Sequence, residues 1–223
     1  MDSVQILKTD ISVTNIDEVS RILIREKEVL IAICNANTLV QCYKNVKLNK
    51  LINSFTIKCP DGFPVAKSSR LLYKNNQKRV DGYKLFLKTL EFGLSNNTSH
   101  YFYGNNEFVT KKMIKEIKKL YPSVNIAGYF CPPVLNYDQL TQKEYLSDLI
   151  VRKPDIVWVS LGFPKQEQFI NLFSKNYNIK SNMVGVGAVF EWIAGTKYKA
   201  PEWLANIGFE WIFRLFQEPK RLL

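Results

Sequence analysis

Histidine and paired cysteine are nearly missing from this chain. His100 is the one histidine, and Cys34, Cys42, Cys59 and Cys131 stand too far apart for a CxxC or Cys/His ligand set. A zinc site needs closer-set ligands, so four free thiols in a reducing compartment are expected. The chain contains no Asp-x-Asp run of the kind that holds a divalent ion. It also has no Gly-x-Gly-x-x-Gly, which removes the dinucleotide fingerprint of an oxidoreductase. Apolar runs fall short of the roughly 18–20 residues that span a bilayer. The opening Met1-Asp2-Ser3-Val4-Gln5 has neither a basic nor an apolar signal region, so a cytoplasmic location is expected. Acid is scarce as well: 20 Asp and Glu against 31 Lys and Arg leave a formal charge of +11. Such an excess favours anionic partners. Because the basic residues are dispersed and form no nucleic-acid motif, nucleic acid is not the expected partner. A non-catalytic nucleotide- or nucleic-acid-binding module is the alternative reading.

What is present is a run of short apolar strands alternating with amphipathic helices. At 223 residues and 46% hydrophobic, the chain can bury a substantial core. Ile6–Val13 reads as an edge strand or hairpin, followed by a helix to about Arg25 that Thr14 or Asn15 caps. Strands are expected at Val29–Cys34, Phe55–Lys58, His100–Tyr103, Val124–Gly128, Asp155–Leu161 and from Met183. Helices are expected over Leu39–Leu51, around Lys67 to Lys74, over Glu107–Leu120, and to Val151 from a capping box at Thr141 and Glu144. This alternation predicts an α/β, Rossmann-like, mostly parallel sheet flanked by helices, with ligand groups at the strand carboxyl ends. Residues 1–195 form the α/β domain in this reading, and 196–223 a C-terminal amphipathic, membrane-proximal helical appendage. From Pro201 the apolar side chains occupy more than one helix face and are accompanied by Arg214, Lys220 and Arg221. The segment either packs across the domain or lies at an anionic leaflet.

Several positions carry chemistry. Asp61 leaves the end of a strand in Cys59-Pro60-Asp61-Gly62, and Asp-Gly is in itself a turn signal. In its wider company Asp61 reads as a candidate general base. Asn35 and Asn37 follow the Val29–Cys34 strand, as helix caps or as groups facing a ligand crevice. Arg79 offers a guanidinium that can grip a phosphate through two parallel hydrogen bonds. Gly104 stands between a strand and a helix N-terminus, a natural place for phosphate. His100 has no catalytic neighbour and reads as a structural histidine.

Taken together, Pro60-Asp61-Gly62, Arg79-Val80-Asp81-Gly82, Gly162-Phe163-Pro164-Lys165-Gln166-Glu167, Val184-Gly185-Val186-Gly187, Ala200-Pro201-Glu202-Trp203 and Phe209-Glu210-Trp211 through Arg221 resemble the WecG/TagA/CpsF family of bacterial glycosyltransferases. The resemblance implies an inverting, metal-independent transfer with no cofactor. A sugar of the N-acetylmannosamine type would pass from a UDP-sugar donor to a polyprenyl-diphosphate-linked acceptor, in teichoic acid or cell-surface polysaccharide synthesis. It further implies a peripheral position on the inner face of the plasma membrane; homo-oligomers are possible within this reading.

In those terms Asp61, Gln166 and Asn35 are the catalytic candidates. Asn37, Arg79, Gly104, Gly162, Gly185, Gly187, Glu191, Arg214 and Arg221 are the substrate-binding candidates. Arg79, Arg214 and Arg221 would neutralise the departing diphosphate, and Gly185 and Gly187 would admit the nucleotide to the backbone. The chain departs from the family's pattern at Asn35, where Thr is usual, at Glu191 and Trp192, which replace a Phe-Asp-Phe ending, and at Lys199, where Arg is usual.

Overall fold

The structure, a computed structural model, describes residues 1–134, 136, 139–140, 142–206, 208–209 and 213. An antiparallel hairpin, β1 (Ser3–Ile6) and β2 (Thr9–Ser12), opens the chain. Then follow α1 (Ile16–Arg25), β3 (Leu30–Cys34), α2 (Ala36–Lys44), α3 (Val46–Asn53), β4 (Ile57–Pro60), α4 (Phe63–Tyr73) and α5 (Gly82–Gly93). The second half runs through β5 (Ser99–Gly104), α6 (Glu107–Leu120), β6 (Asn125–Phe130), α7 (Lys143–Arg152), β7 (Ile156–Ser160), α8 (Lys165–Asn176), β8 (Asn182–Gly185), α9 (Val189–Ile193) and α10 (Glu202–Asn206).

Six strands pair in parallel in the order β4-β3-β8-β7-β5-β6. The α/β expectation therefore holds. Both faces of the sheet are covered, which is why its strands are apolar throughout rather than alternating. On one side α2, α3, α7 and α8 contribute Leu39, Ile52, Leu149 and Phe169 to a core with Tyr103 and Val159. On the other, α1, α5, α6 and α9 contribute Leu23, Phe86, Met113 and Phe190 to a core around Phe102 and Trp158.

The strand order sets the position of the site. The chain steps from β3 outward to β4, and from β5 outward to β6 at the opposite end, whereas β7 leads inward to β8. Connections thus diverge between β5 and β7, and crevices open at the carboxyl ends of strands where that happens. Gly104 is level with Ser160, Val159 with Gly185, Ala32 with Gly185, and Cys34 with Pro60. All six carboxyl ends consequently lie along one edge.

Local chemistry explains where the sequence expectations shift. The single helix expected over Leu39–Leu51 is two, because Asn45 ends α2 and caps α3 by accepting the Leu48 N–H at 3.1 Å. Strand β4 runs two residues later than expected and includes Cys59 and Pro60. Asp81-Gly82, a pair with the composition of a turn, opens α5: Asp81 caps it by accepting the Lys84 N–H at 3.0 Å. Helix α7 starts after Gln142; the Thr141 half of the expected capping box lies outside the described residues. Of the helix expected from Pro201, Glu202–Asn206 is described, and Gly208 follows at φ 89°. Among the described residues no helix is long and apolar enough to cross a membrane.

Candidate active site

Asp61 sits at the carboxyl end of β4, and its N–H donates to the Cys34 carbonyl at the end of β3, 2.9 Å away. It is 8% exposed. Its Oδ1 accepts the Gly62 N–H at 2.7 Å and faces the Arg79 Nε at 3.3 Å. Gly62 has φ 81°, which an L side chain rarely adopts, so the turn that aims Asp61 depends on glycine. Arg79 is brought to Asp61 by the main chain, because the Val80 N–H donates to the Pro60 carbonyl at 2.9 Å. The two residues picked out separately in the sequence therefore meet.

The Arg79 guanidinium also donates from Nη2 to Asp81 Oδ2 at 3.0 Å. Lys199, noted in the sequence only as a replacement for arginine, closes the group: its Nζ lies 2.9 Å from both Asp81 oxygens. It also stands over the rings of Tyr83 and Trp192, at 4.7 and 5.9 Å from their centroids. Burial alone would raise the Asp81 pKa. Lys199, the Lys84 N–H and Arg79 outweigh it and hold the carboxyl below its ordinary range. The result is a sequence of alternating charge, Asp61–Arg79–Asp81–Lys199, at the edge of the sheet. Sequence reasoning missed Asp81 and Lys199 as members; the signal was the Asp81 cap position and the Lys199 substitution at an arginine position.

Gln166, in the first turn of α8, is 4% exposed and is fixed from two sides. Its Oε1 accepts the Gly187 N–H at 3.0 Å, and its Nε2 donates to Glu167 Oε1 at 2.8 Å. Gly185 makes room for it: a Cβ there would stand 2.8 Å from the Gln166 Nε2. Gly185, at the end of β8, is level with Ala32 of β3, two strand spacings, about 10 Å, from the line of β4 that carries Asp61. Asp61 and Gln166 thus belong to the same edge.

Glu167, a second unanticipated member, is 1% exposed. Its Oε2 has no hydrogen-bond partner among the described residues. Burial pushes its pKa up to about 7, against the opposing bonds from Gln166 and its own N–H. The buried thiols of Cys34 and Cys42 lie close enough to feel its charge.

A cleft of about 830 Å³ opens at the carboxyl ends of β5, β6 and β7, lined by Asn105, Phe130, Ser160, Leu161 and Lys165 among others. Ser160 ties this cleft to the Gln166 loop: its hydroxyl donates to the Gly187 carbonyl at 2.7 Å, and its carbonyl accepts the Asn105 N–H at 2.9 Å. None of Asn105, Ser160 or Lys165 was a sequence candidate.

Other candidates take different parts. The Asn35 side chain caps α2, accepting the Thr38 N–H at 3.1 Å and its hydroxyl at 3.3 Å. Asn37 accepts from Gln41 on an exposed face. Gly104 serves strand packing, since a Cβ would come 2.3 Å from the Ser160 carbonyl oxygen. Gly162 and Gly187 have positive φ, 77° and 57°, with open space around them. Glu191 pairs with Lys197 at 3.1 Å. Arg214 and Arg221 lie outside the described residues. His100 is structural as expected: its Nδ1 accepts the Trp158 indole N–H at 3.1 Å, and burial lowers its pKa to about 4.

Comparison with known proteins places this geometry. A family model described as the glycosyl transferase WecG/TagA/CpsF family matches residues 4–223. An N-acetylglucosaminyldiphosphoundecaprenol N-acetyl-beta-D-mannosaminyltransferase of Bacillus spizizenii is 29% identical over 88% of this chain and 74% of its own length. The protein of the same description from Bacillus subtilis is 30% identical over 77% of this chain, and one from Staphylococcus aureus 28% over 78%. In the latter two the match spans 64% and 66% of the relative's length.

Proposed function

Because the chain belongs to the WecG/TagA/CpsF family of glycosyl transferases, we propose that it moves a sugar of the N-acetylmannosamine type from a UDP-sugar to a polyprenyl-diphosphate-linked N-acetylglucosamine acceptor. Both the mannosaminyl group and the lipid-linked acceptor appear in the description of its relatives. The observation that carries the reading is the carboxylate of Asp61, oriented by Arg79 at the strand edge beside a second cation, Lys199.

In this reading the acceptor hydroxyl loses its proton to Asp61 as its oxygen bonds the anomeric carbon. The bond from that carbon to UDP breaks on the opposite side, which inverts the centre. Negative charge that develops on the departing diphosphate is met by fixed cations, Arg79 and Lys199, in place of a divalent ion. The donor sugar lies along the strand edge between Gln166 and Asp61, with its diphosphate turned towards Arg79 and Lys199. The carboxamide of Gln166 hydrogen-bonds it without titrating, since its orientation is set by Gly187 and Glu167. Residues 196–223, with Arg214 and Arg221, serve as the membrane-proximal appendage on the inner face of the plasma membrane, and the product feeds cell-surface polysaccharide or teichoic acid synthesis.

The test is transfer to a short-chain, water-soluble diphosphate-linked N-acetylglucosamine, followed by mass spectrometry over a panel of UDP-sugars. Asp61→Asn should lower turnover by about 10²–10⁴-fold while UDP-sugar binding persists. An Asp61→Asn protein that turns over at the parent rate would remove Asp61 from the chemistry. Loss of activity with chelator, restored by Mg²⁺, would overturn the role given to the cations.

A further inference from the structure

Helix α4 begins two residues after Asp61 and is one-sided in an unusual way. Val65, Ala66 and Ser69 face inward and are buried. Lys67, Arg70, Leu71 and Lys74 face outward and are exposed, at the spacing of one helical face. Leu71 is 75% exposed and Leu72, beside it, 65%. Across residues 62–80 there are five Lys or Arg and no Asp or Glu. Lys67, Arg70 and Lys74 have no carboxylate partner among the described residues, although Lys84, Lys88, Lys111 and Lys119 on other helices each have one.

Both ends of this face continue into similar surface. At the start of α4 the Phe63 ring lies against Gly208, where a Cβ would come within 3.0 Å of it. Exposed Trp203 and Phe209 flank that contact in sequence. At the far end, the Tyr73 hydroxyl donates to the Gln5 carbonyl at 2.6 Å, next to the hairpin turn that exposes Leu7 and Lys8.

We infer that the exposed side of α4, where Lys67, Arg70, Leu71 and Lys74 share one face and exposed Leu72 adjoins it, is a docking surface for an anionic lipid bilayer. Charge selects this occupant. Exposed leucines beside cations that have no carboxylate partner among the described residues suit a layer whose interior is apolar and whose surface is negative, because leucine enters the acyl boundary while lysine and arginine remain among the headgroups. A second copy of the chain fits poorly, since it would set like charges against each other across the contact. Position gives the surface its use, and here the inference rests on the lipid-linked acceptor proposed above. The helix is 11 residues, about 16 Å, long and starts at the catalytic edge. Docking along it would hold Asp61 within a helix length of the headgroups, where a diphosphate-linked sugar is presented.

The experiment is co-sedimentation of the full chain with vesicles of phosphatidylcholine alone or with added phosphatidylglycerol. Leu71→Ser/Leu72→Ser and Lys67→Gln/Arg70→Gln/Lys74→Gln are compared with the parent. The parent should bind the anionic vesicles and release them as salt rises. The triple variant should bind about 100-fold more weakly, at roughly fivefold per cation, and the double leucine variant should also lose binding. Both should keep parental turnover on the water-soluble acceptor, which shows that they are folded. Variants that sediment like the parent would overturn the inference. So would unchanged sedimentation together with a fall from dimer to monomer in the leucine variant, which would assign the face to a second copy. Absence of turnover in the parent itself would count against the proposed transfer, while the vesicle comparison would still decide the surface.

Discussion

The Gln166 amide nitrogen donates to the carboxyl of Glu167 at 2.8 Å, and that carboxyl is buried with its second oxygen unpartnered among the described residues. A side chain proposed to hold sugar is therefore braced from below by a group that folding would rather keep neutral. The sign of the pH effect follows. The folded pKa is about 7 against an ordinary 4.5, so between those values the native protein retains a proton that the unfolded chain has lost. Stability should fall as pH rises through that window and stay low above it, by up to about 3 kcal/mol. Glu167→Gln, whose carbonyl can still accept from Gln166, should abolish this loss. Thermal melts from about pH 5 to about pH 8 should show the variant gaining on the parent as pH rises; parallel curves would mean that Glu167 does not titrate there.

Gly185→Ala tests the same brace from the other side. The backbone at Gly185 tolerates a side chain, but the new methyl would meet the flexible end of Gln166 at 2.8 Å. We expect Gln166 to swing off the Gly187 N–H, with turnover falling about tenfold or more for the loss of one positioned hydrogen bond. Stability should change little. A melting temperature that collapses while the surviving protein works normally would show that Gly185 serves only packing.

Asp81→Ala should behave in the opposite way. It removes the α5 cap and leaves Arg79 and Lys199 without their shared carboxylate in a mostly buried setting. Breaking such a pair costs about 3 kcal/mol, and loss of the cap adds about 1 kcal/mol. The Asp81 pKa is depressed, so its contribution is present above the ordinary carboxylate range and is lost as pH falls through the lowered folded value. Chemical denaturation at neutral and acid pH should show the difference between parent and Asp81→Ala shrinking on acidification. A constant difference would contradict the charge network.

Lys199→Arg asks whether a point charge or a fork is needed beside Asp81. The ammonium already contacts both carboxylate oxygens and two rings. Since guanidinium also stacks on aromatic faces, Lys199→Arg should retain turnover within a few-fold, whereas Lys199→Met should lower it about 10²-fold through lost charge at the diphosphate. Equal activity of Lys199→Met and parent would remove Lys199 from the site.

Much of this architecture was legible in the amino acids because burial on both faces leaves an unambiguous mark. Ile156–Ser160 is apolar nearly throughout, and it is one of the strands at whose carboxyl ends the cleft opens. Asn15 and the acids after it announced α1. Misreadings arose where one residue does two jobs. Asn45 both ends a helix and starts the next, so a continuous amphipathic pattern concealed a break. Asp81 followed by Gly82 has the composition of a turn, yet its carboxyl caps α5 and gathers two cations.

The site divided along the same line. Asp61 and Arg79 could be nominated from chemistry, because an acid at a strand end and an arginine near a glycine turn are local features. Asn35 drew both readings for the same reason, since its position after β3 suits a cap and a crevice alike; its described bonds serve the cap. Glu167 and Lys199 depend on what stands across from them in space, 118 residues away for Lys199 and Asp81. Spacing along the chain does not record that.

The bond from the Val80 N–H to the Pro60 carbonyl has an experimental consequence. It splices the strand end that carries Asp61 to the segment that carries Arg79 through peptide groups alone. Altering either side chain should therefore leave the backbone that carries the other in place. Each single replacement would then report on proton transfer or charge neutralisation separately, and the pair is suited to a double-mutant cycle in which the coupling energy measures chemistry rather than loop collapse.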